Sequence, residues 1–163
     1  IPEQCFSYKG AIEDVYAAYE KISKEDYMAT LTCDIVTPTK RLFTEECHMV
    51  VAPGEEGTMG IMAGHAQVMT TLADGNIRVF SDANTVAASF AAMGGYMQVT
   101  PEKVIILADH AVPVEAIDAA AVQKEIAEVE EILKNAEGSE KHLAERNLHW
   151  AKVRARVVGS ETA

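Results

Sequence analysis

The glycine-rich loop Pro53-Gly54-Glu55-Glu56-Gly57 is the segment of this 163-residue chain whose composition comes nearest to a phosphate-binding loop. A P-loop needs a lysine and a GKS/T ending, and this loop has neither. Its two carboxylates would also repel a phosphate group. The loop therefore predicts a turn rather than a nucleotide site.

The five histidines are the next candidates for chemistry. His65 suits proton transfer, but no serine, cysteine or carboxylate arrangement recognisable from sequence accompanies it. The remaining four show no HExxH or other tight ligand spacing; they are His48, His110, His142 and His149. We therefore expect neither a catalytic centre nor a metal site, and a cupin-like enzyme, which needs several inward histidines, is disfavoured.

Cysteine usage and net charge exclude further classes. Cys5, Cys33 and Cys47 are odd in number and lack CxxC spacing, so we expect reduced packing residues. A formal net charge of −11 disfavours binding to nucleic acid or to an anionic membrane face. Apolar runs stop well short of the ~20 residues of a membrane span, and no leader precedes them. We expect a soluble, intracellular protein without direct membrane insertion.

The pattern of apolar residues divides the chain into three segments. In residues 1–27, apolar side chains recur at helical steps after Gly10; they are Ile12, Val15, Tyr16, Tyr19 and Ile22. From Met28 to about Ala111 the apolar period is two, as in Leu31, Cys33 and Ile35; in Cys47, Met49 and Val51; and in Val104, Ile106 and Ala108. Turn signals separate these runs at Pro53-Gly54, Asp74-Gly75, Asp82-Ala83-Asn84, Gly94-Gly95 and Pro101-Glu102. The middle segment predicts an antiparallel sandwich or barrel.

After Pro113 the pattern becomes helical. The first predicted helix follows an N-cap at Asp118 and carries the stripe Val122, Ile126, Val129 and Leu133. Gly138-Ser139 ends it, and a second helix follows with Ala144, Leu148, Ala151, Ala155 and Val158. The short connection predicts an antiparallel helical hairpin.

Several segments, taken in order, resemble the epsilon subunit of bacterial F-type ATP synthases. They are Val36-Thr-Pro-Thr-Lys-Arg-Leu-Phe43, Val51-Ala-Pro-Gly-Glu-Glu-Gly-Thr-Met-Gly-Ile61, Gly64-His-Ala-Gln-Val-Met-Thr-Thr-Leu72, Gly75-Asn-Ile-Arg-Val79, Gly94-Gly95 and Val104-Ile-Ile-Leu-Ala-Asp109. The resemblance implies an antiparallel β-sandwich of about ten strands at residues 28–113, followed by a two-helix hairpin at 114–163. It also implies a non-catalytic rotor subunit, peripheral at the cytoplasmic face of the cell membrane, that contacts gamma and the c-ring and regulates ATP hydrolysis.

Residues 1–27 precede Met28, which looks like a natural epsilon start. Ile1-Pro-Glu-Gln-Cys-Phe6 and Gly10-Ala-Ile-Glu-Asp14 resemble the C-terminal tail of the catalytic beta subunit. A fused or misassigned gene boundary explains both halves; an unrelated docking helix is the alternative.

The resemblance also assigns contact residues. Glu55, Glu56 and Gly57 would lie near polar loops of the c-ring, although Thr58 stands where the family often has another acidic residue. Gly64 and His65 would pack against gamma, with Ala63 replacing the family's usual proline.

Basic residues concentrate on the second predicted helix: Arg146, Lys152, Arg154 and Arg156. In the family, the extended hairpin presses such residues against alpha and beta and blocks rotation in the hydrolysis direction. The alternative is that late positive charges complement the helix dipole.

Some family members bind ATP in the folded hairpin through an Ile/Leu-Asp-x-x-Arg-Ala motif. The matching run here is Ile117-Asp118-Ala119-Ala120-Ala121-Val122, so Ala121 replaces the arginine, and Val112 stands where those members have an acid. We therefore expect no resident cofactor and at most weak ATP binding. The alternative function is a stand-alone sandwich binding a peptide or sugar, which would need an exposed aromatic platform.

Overall fold

The computed structural model describes residues 29–161. The helix predicted within residues 1–27, and the likeness of that segment to a beta-subunit tail, lie outside the described residues and stay predictions. Eight strands lie in the described part: β1 Leu31–Val36, β2 Arg41–Cys47, β3 Met49–Gly54, β4 Gly57–Met62, β5 Val68–Thr71, β6 Gly75–Phe80, β7 Val86–Val99 and β8 Lys103–Pro113. A 3-10 turn at Val114–Ala116 leads to helices α1, Ala119–Leu133, and α2, Gly138–Glu161.

The two long strands β7 and β8 pass through both layers of the sandwich. Along one edge of β7, residues 86–92 pair with β6 and residues 96–99 pair with β5. The strand order is β2-β1-β8-β7-β6-β3-β4, with β5 beside β7. Counting each half of β7 and β8 separately gives the ten or so strands that the family resemblance implies, and the predicted sandwich is confirmed. One pair differs from the antiparallel expectation: β1 and β8 run parallel, which their wide separation in sequence permits.

The Gly94-Gly95 pair is not a turn between strands, so that prediction is wrong. Both residues lie inside β7, and the pairing with β8 keeps one register from Met93↔His110 to Gly95↔Ala108. Their φ angles are 65° and 105°, which glycine adopts without a steric penalty. A Cβ on Gly95 would lie 2.0 Å from the Leu107 carbonyl oxygen. The pair therefore lets β7 bend where it passes between layers.

Apolar residues on alternate positions of the strands form the core. Leu31, Cys33 and Ile35 are at most 1% exposed, as the period-two pattern predicts. Cys33 and Cys47 are free thiols within this core, as expected; the hydrogen bond to Cys47, together with burial, raises the pKa of Cys33.

The predicted alternation fails in β3. Val50 and Ala52 point into the core, whereas Met49 and Val51 are only partly buried. The chain passes from β2 to β3 at His48, whose N–H donates to the Phe80 carbonyl, so the alternation restarts one residue out of phase.

The two helices form the predicted hairpin. Asp118 is the N-cap of α1, because its carboxylate accepts the N–H groups of Ala120 and Ala121 at 2.9 and 3.1 Å. The second helix begins at Gly138, and the two helices pack side by side. Neither helix of the described chain has the length and apolar character needed to cross a membrane.

Candidate functional site

The acidic turn Glu55–Gly57 joins β3 to β4 at one end of the sandwich. Gly54 and Gly57 pair across the strands, which leaves Glu55 and Glu56 as the exposed residues of a tight hairpin. Gly57 has a φ of 132°, a conformation that side chains rarely adopt. The predicted turn is confirmed, and it presents two carboxylates to solvent.

Gly64 and His65 lie at the opposite end of β4 from the acidic turn. The Gly64 N–H donates to the Pro101 carbonyl at 2.8 Å, and His65 Nδ1 contacts the carbonyl oxygen of Ala66 at the same distance. Since β4 has six residues rising about 3.3 Å each, the two turns are about 20 Å apart. The structure therefore separates the predicted contact residues into two surfaces.

An exposed apolar surface lies on β5 and β7 between the two turns, and sequence reasoning missed it because its residues read as ordinary strand positions. We call it the apolar edge patch; its residues are Met69 and Tyr96, with exposed fractions of 66% and 45%. The two side chains lie on one face of the β5–β7 pair and border one shallow pocket. In the described chain, residues 68–71 of β5 pair with β7 alone, and Leu72 just after them bridges Gly54 of β3.

The helical hairpin rests on the sandwich through a small buried cluster. We call this cluster the docking patch; it consists of Ala91, Val114, Val153 and Val157, all at most 9% exposed. Ala91 comes from β7, and the two valines 153 and 157 are one helical turn apart on α2. The patch is much smaller than the core of the sandwich.

Two of the four predicted basic residues pair with acids on α1. Arg154 contacts Glu125 at 2.7 Å, and its guanidinium lies 5.2 Å from the centre of the Trp150 ring. Lys152 contacts Glu130 at 3.0 Å. In the docked hairpin these two positive charges are therefore balanced by carboxylates of the neighbouring helix.

The other two basic residues face the sandwich. Arg156 donates to the backbone carbonyl of Asp74 at 3.1 Å. The Asp74 carboxylate also accepts the Gly94 N–H at 2.8 Å and contacts His149 Nε2 at 2.5 Å. Arg146 borders a separate cleft beside the β1–β2 turn. From sequence, Asp74 is recognisable only as a turn residue. The seven-residue spacing of His149 and Arg156 places them on one helix face and was the one sequence signal that they contact the same partner.

The prediction of weak ATP binding rests on Val112 and Ala121. Both residues line one cavity of about 350 Å³ between the sandwich and the hairpin. Arg154 is the only arginine or lysine among its lining residues, and Glu125 contacts it. Among residues 29–161, no group of three or more His, Cys, Asp or Glu side chains is placed to hold a metal ion.

Residues 30–114 match the model of the ATP synthase delta/epsilon chain β-sandwich domain, which spans more than half of the chain. This chain belongs to the ATP synthase epsilon-chain family. The ATP synthase epsilon chain of Parvibaculum lavamentivorans is 41% identical over 111 residues, covering 68% of this chain and 83% of that protein. The epsilon chain of Xanthomonas euvesicatoria pv. vesicatoria is 44% identical over 108 residues, covering 66% and 76%.

Two solved structures contain chains that share this fold. A chain of the Euglena gracilis mitochondrial ATP synthase (OSCP/F1/c-ring, rotational state 1) is similar with a TM-score of 0.63 and 21% identity, covering 83% of this chain and 82% of that one. A chain of the Tetrahymena thermophila mitochondrial ATP synthase central stalk/c-ring has a TM-score of 0.52 at 16% identity, covering 82% and 96%. The alternative of a stand-alone peptide- or sugar-binding module finds no support in the comparisons.

Proposed function

We propose that this epsilon-family chain is a non-catalytic rotor subunit of an F1Fo ATP synthase, which couples gamma to the c-ring and tunes ATP hydrolysis through its helical hairpin. The observation that carries the proposal is the division of this fold into a sandwich with a large core and a hairpin attached through the small docking patch. The sandwich transmits torque, and the hairpin changes position. The complex lies at the cytoplasmic face of the cell membrane, where this subunit is peripheral.

The gamma subunit binds at the end of the sandwich that carries Gly64 and His65. The apolar edge patch lies on β5 and β7, and β5 starts beside this end; exposed apolar patches mark protein interfaces. An open strand edge also offers unpaired backbone groups to a partner.

The c-ring binds at the acidic turn. Glu55 and Glu56 are exposed there, and charged side chains at the edge of an interface contribute more to orientation and association rate than to affinity. The separation of about 20 Å along β4 allows the two partners to bind without competing.

The hairpin acts by a population shift between docked and extended states. In the docked state Arg154 and Lys152 are occupied by Glu125 and Glu130, and Arg156 by Asp74. In the extended state, the contact of Arg156 with the sandwich is lost and basic residues of α2 meet acidic surface of alpha and beta. A docked hairpin therefore permits rotation, whereas an extended one resists rotation in the hydrolysis direction.

ATP binds this chain weakly, with millimolar or weaker affinity. The cavity lined by Val112 and Ala121 offers a phosphate only Arg154, whose guanidinium would first have to leave Glu125. A charge-assisted contact contributes a few kcal/mol, about the difference between micromolar and millimolar binding. Titration calorimetry with ATP measures this directly: a micromolar dissociation constant would contradict the expectation.

The experiment that tests the proposed function is a titration of the chain into purified gamma and into epsilon-depleted F1, with the ATPase rate followed in the second case. We expect one-to-one binding, and a fall in hydrolysis that disappears when the chain is truncated after Asp118. Binding without inhibition would support the rotor assignment and contradict the proposed inhibition of ATP hydrolysis by the hairpin. Absence of binding to both would overturn the proposal.

A further inference from the structure

Asp74, in the β5–β6 turn, makes polar contacts with both the bend of β7 and helix α2. Its Oδ1 accepts the N–H of Gly94 at the bend of β7, and its Oδ2 contacts His149 Nε2 at 2.5 Å. Its backbone carbonyl accepts a hydrogen bond from Arg156 at 3.1 Å. The side chain of Asp74 is 26% exposed, so water screens these contacts only in part.

We propose that Asp74 is a catch for the docked hairpin, which it holds to the sandwich through His149 and Arg156 of α2. The catch lies outside the docking patch and adds polar contacts to a helix that the patch alone holds weakly. Asp74 is fixed by its bond to the rigid β7 bend, so the carboxylate is in place before the helix docks. The consequence for ATP hydrolysis rests on the proposed function; the catch itself does not.

Other charged and titratable groups that pack near α2 lie on α1 and β8. Glu125 and Glu130 of α1 contact Arg154 and Lys152. On β8, Asp109 lies against Gly94, and the ring centre of His110 lies 5.7 Å from that of Trp150. The variants that test the catch leave these groups unchanged.

The test uses a thiol buried in the docking patch as a reporter. In the full chain with Cys5→Ser, Val157→Cys places a thiol at a position that is 3% exposed and faces the sandwich, so its labelling rate measures undocking. Rates are compared between variants at the same pH, which cancels the pH dependence of thiol reactivity. Circular dichroism verifies that the sandwich of each variant melts as before.

We expect His149→Gln to label roughly two- to fivefold faster than the reporter parent at pH 6. Asp74→Asn keeps an acceptor for Gly94 but loses the charge, and it should label roughly fivefold faster or more. The matched control is His142→Gln on the same helix, where the imidazole contacts Glu145 of its own helix at 3.5 Å; its rate should not change. Parent labelling rates in Asp74→Asn, or an equal increase in His142→Gln and His149→Gln, would overturn the catch.

A second arm separates this inference from the proposed function. The Asp74→Asn chain, without the reporter, is titrated into epsilon-depleted F1 at pH 6. Stronger inhibition than the parent supports both the catch and its regulatory role. Faster thiol labelling with an unchanged ATPase rate would support the catch and contradict the proposed inhibition of ATP hydrolysis by the hairpin.

Discussion

The sandwich and the hairpin of this protein are held together by contacts of very different extent. The sandwich has one continuous buried cluster drawn from both layers, and the bend in β7 joins those layers within a single strand. The hairpin rests on the sandwich through the docking patch with its partly buried neighbours, the ring contact of His110 with Trp150, and the contacts of Asp74. Since buried apolar area dominates stability, the sandwich should unfold as a unit and the hairpin should separate well before it does.

The largest effect is expected for Gly95→Ala in the sandwich. The new Cβ would lie 2.0 Å from the Leu107 carbonyl oxygen, and the φ of 105° is unfavourable for alanine. We expect a loss of about 4 kcal/mol in the free energy of unfolding, measured by urea denaturation. Gly159→Ala is the control, because a Cβ there meets nothing within 4 Å and alanine favours the helix. Equal stability of the two variants would contradict the account of the bend.

Lys103→Met tests a buried charge of the sandwich. Lys103 contacts Asp34 at 2.6 Å; the Asp34 side chain is 7% exposed and that of Lys103 41%. The hydrogen bond from Lys103 lowers the pKa of Asp34, so this pair stabilises the fold above about pH 4 and loses its effect as the pH falls through the lowered value. We expect about 2 kcal/mol of destabilisation at pH 7 that shrinks towards pH 3, measured by urea midpoints across that range.

Lys124→Met is the control for Lys103→Met. Lys124 contacts Glu128, also on α1, at a long distance of 3.7 Å, and both side chains are well exposed. The free energy of unfolding should change little at any pH. A pH-independent loss in Lys103→Met would show that packing, and not the Asp34 charge, accounts for its effect.

Val153→Ala should weaken the docking of the hairpin without changing the stability of the sandwich. Val153 is 2% exposed in the docking patch, and removing its methyl groups costs about 1.5 kcal/mol of docking. Amide exchange in α2 should rise roughly tenfold, while the urea midpoint of the sandwich stays unchanged. If the sandwich midpoint fell in parallel with α2 protection, the hairpin and sandwich would be one cooperative unit.

The smallest effect concerns the ion pairs inside the hairpin. Arg154→Gln removes a guanidinium whose side chain is 17% exposed and which lies against Trp150, and we expect a loss of about 1 kcal/mol of hairpin stability. Lys152→Gln removes a more exposed pair and should cost no more than about 0.5 kcal/mol. Helical dichroism during thermal unfolding measures both; the reverse order would contradict the burial argument.

The sequence predicts the features of this fold that depend on neighbouring residues. Period-two alternation in Leu31–Ile35 and the Asp118 cap are local patterns, and both are confirmed. The sequence predicts a turn at Gly94-Gly95, whereas the structure has a strand bend there, because glycine suits both and its positive φ angles are not readable from sequence. The parallel pairing of β1 with β8 joins distant segments, which no local pattern encodes.

The candidate surfaces follow the same rule. The acidic turn is recognisable because its residues are consecutive, and the structure confirms it as a hairpin turn. The Asp74 contacts require that the β5–β6 turn and helix α2 meet in space, although 75 residues separate Asp74 from His149. Composition identified the basic residues of α2, but only the three-dimensional arrangement shows which acids they bind.

The measurement that tests the central claim most directly is ATP hydrolysis by F1 with the hairpin held to the sandwich by a disulfide. Ala91→Cys with Val157→Cys, in a Cys5→Ser background, places two thiols in the same buried docking patch. We predict that the oxidised chain binds epsilon-depleted F1 but leaves hydrolysis at the rate seen with the chain truncated after Asp118, and that reduction restores inhibition. Equal inhibition by the oxidised and reduced chains would contradict a hairpin that must leave the sandwich to act.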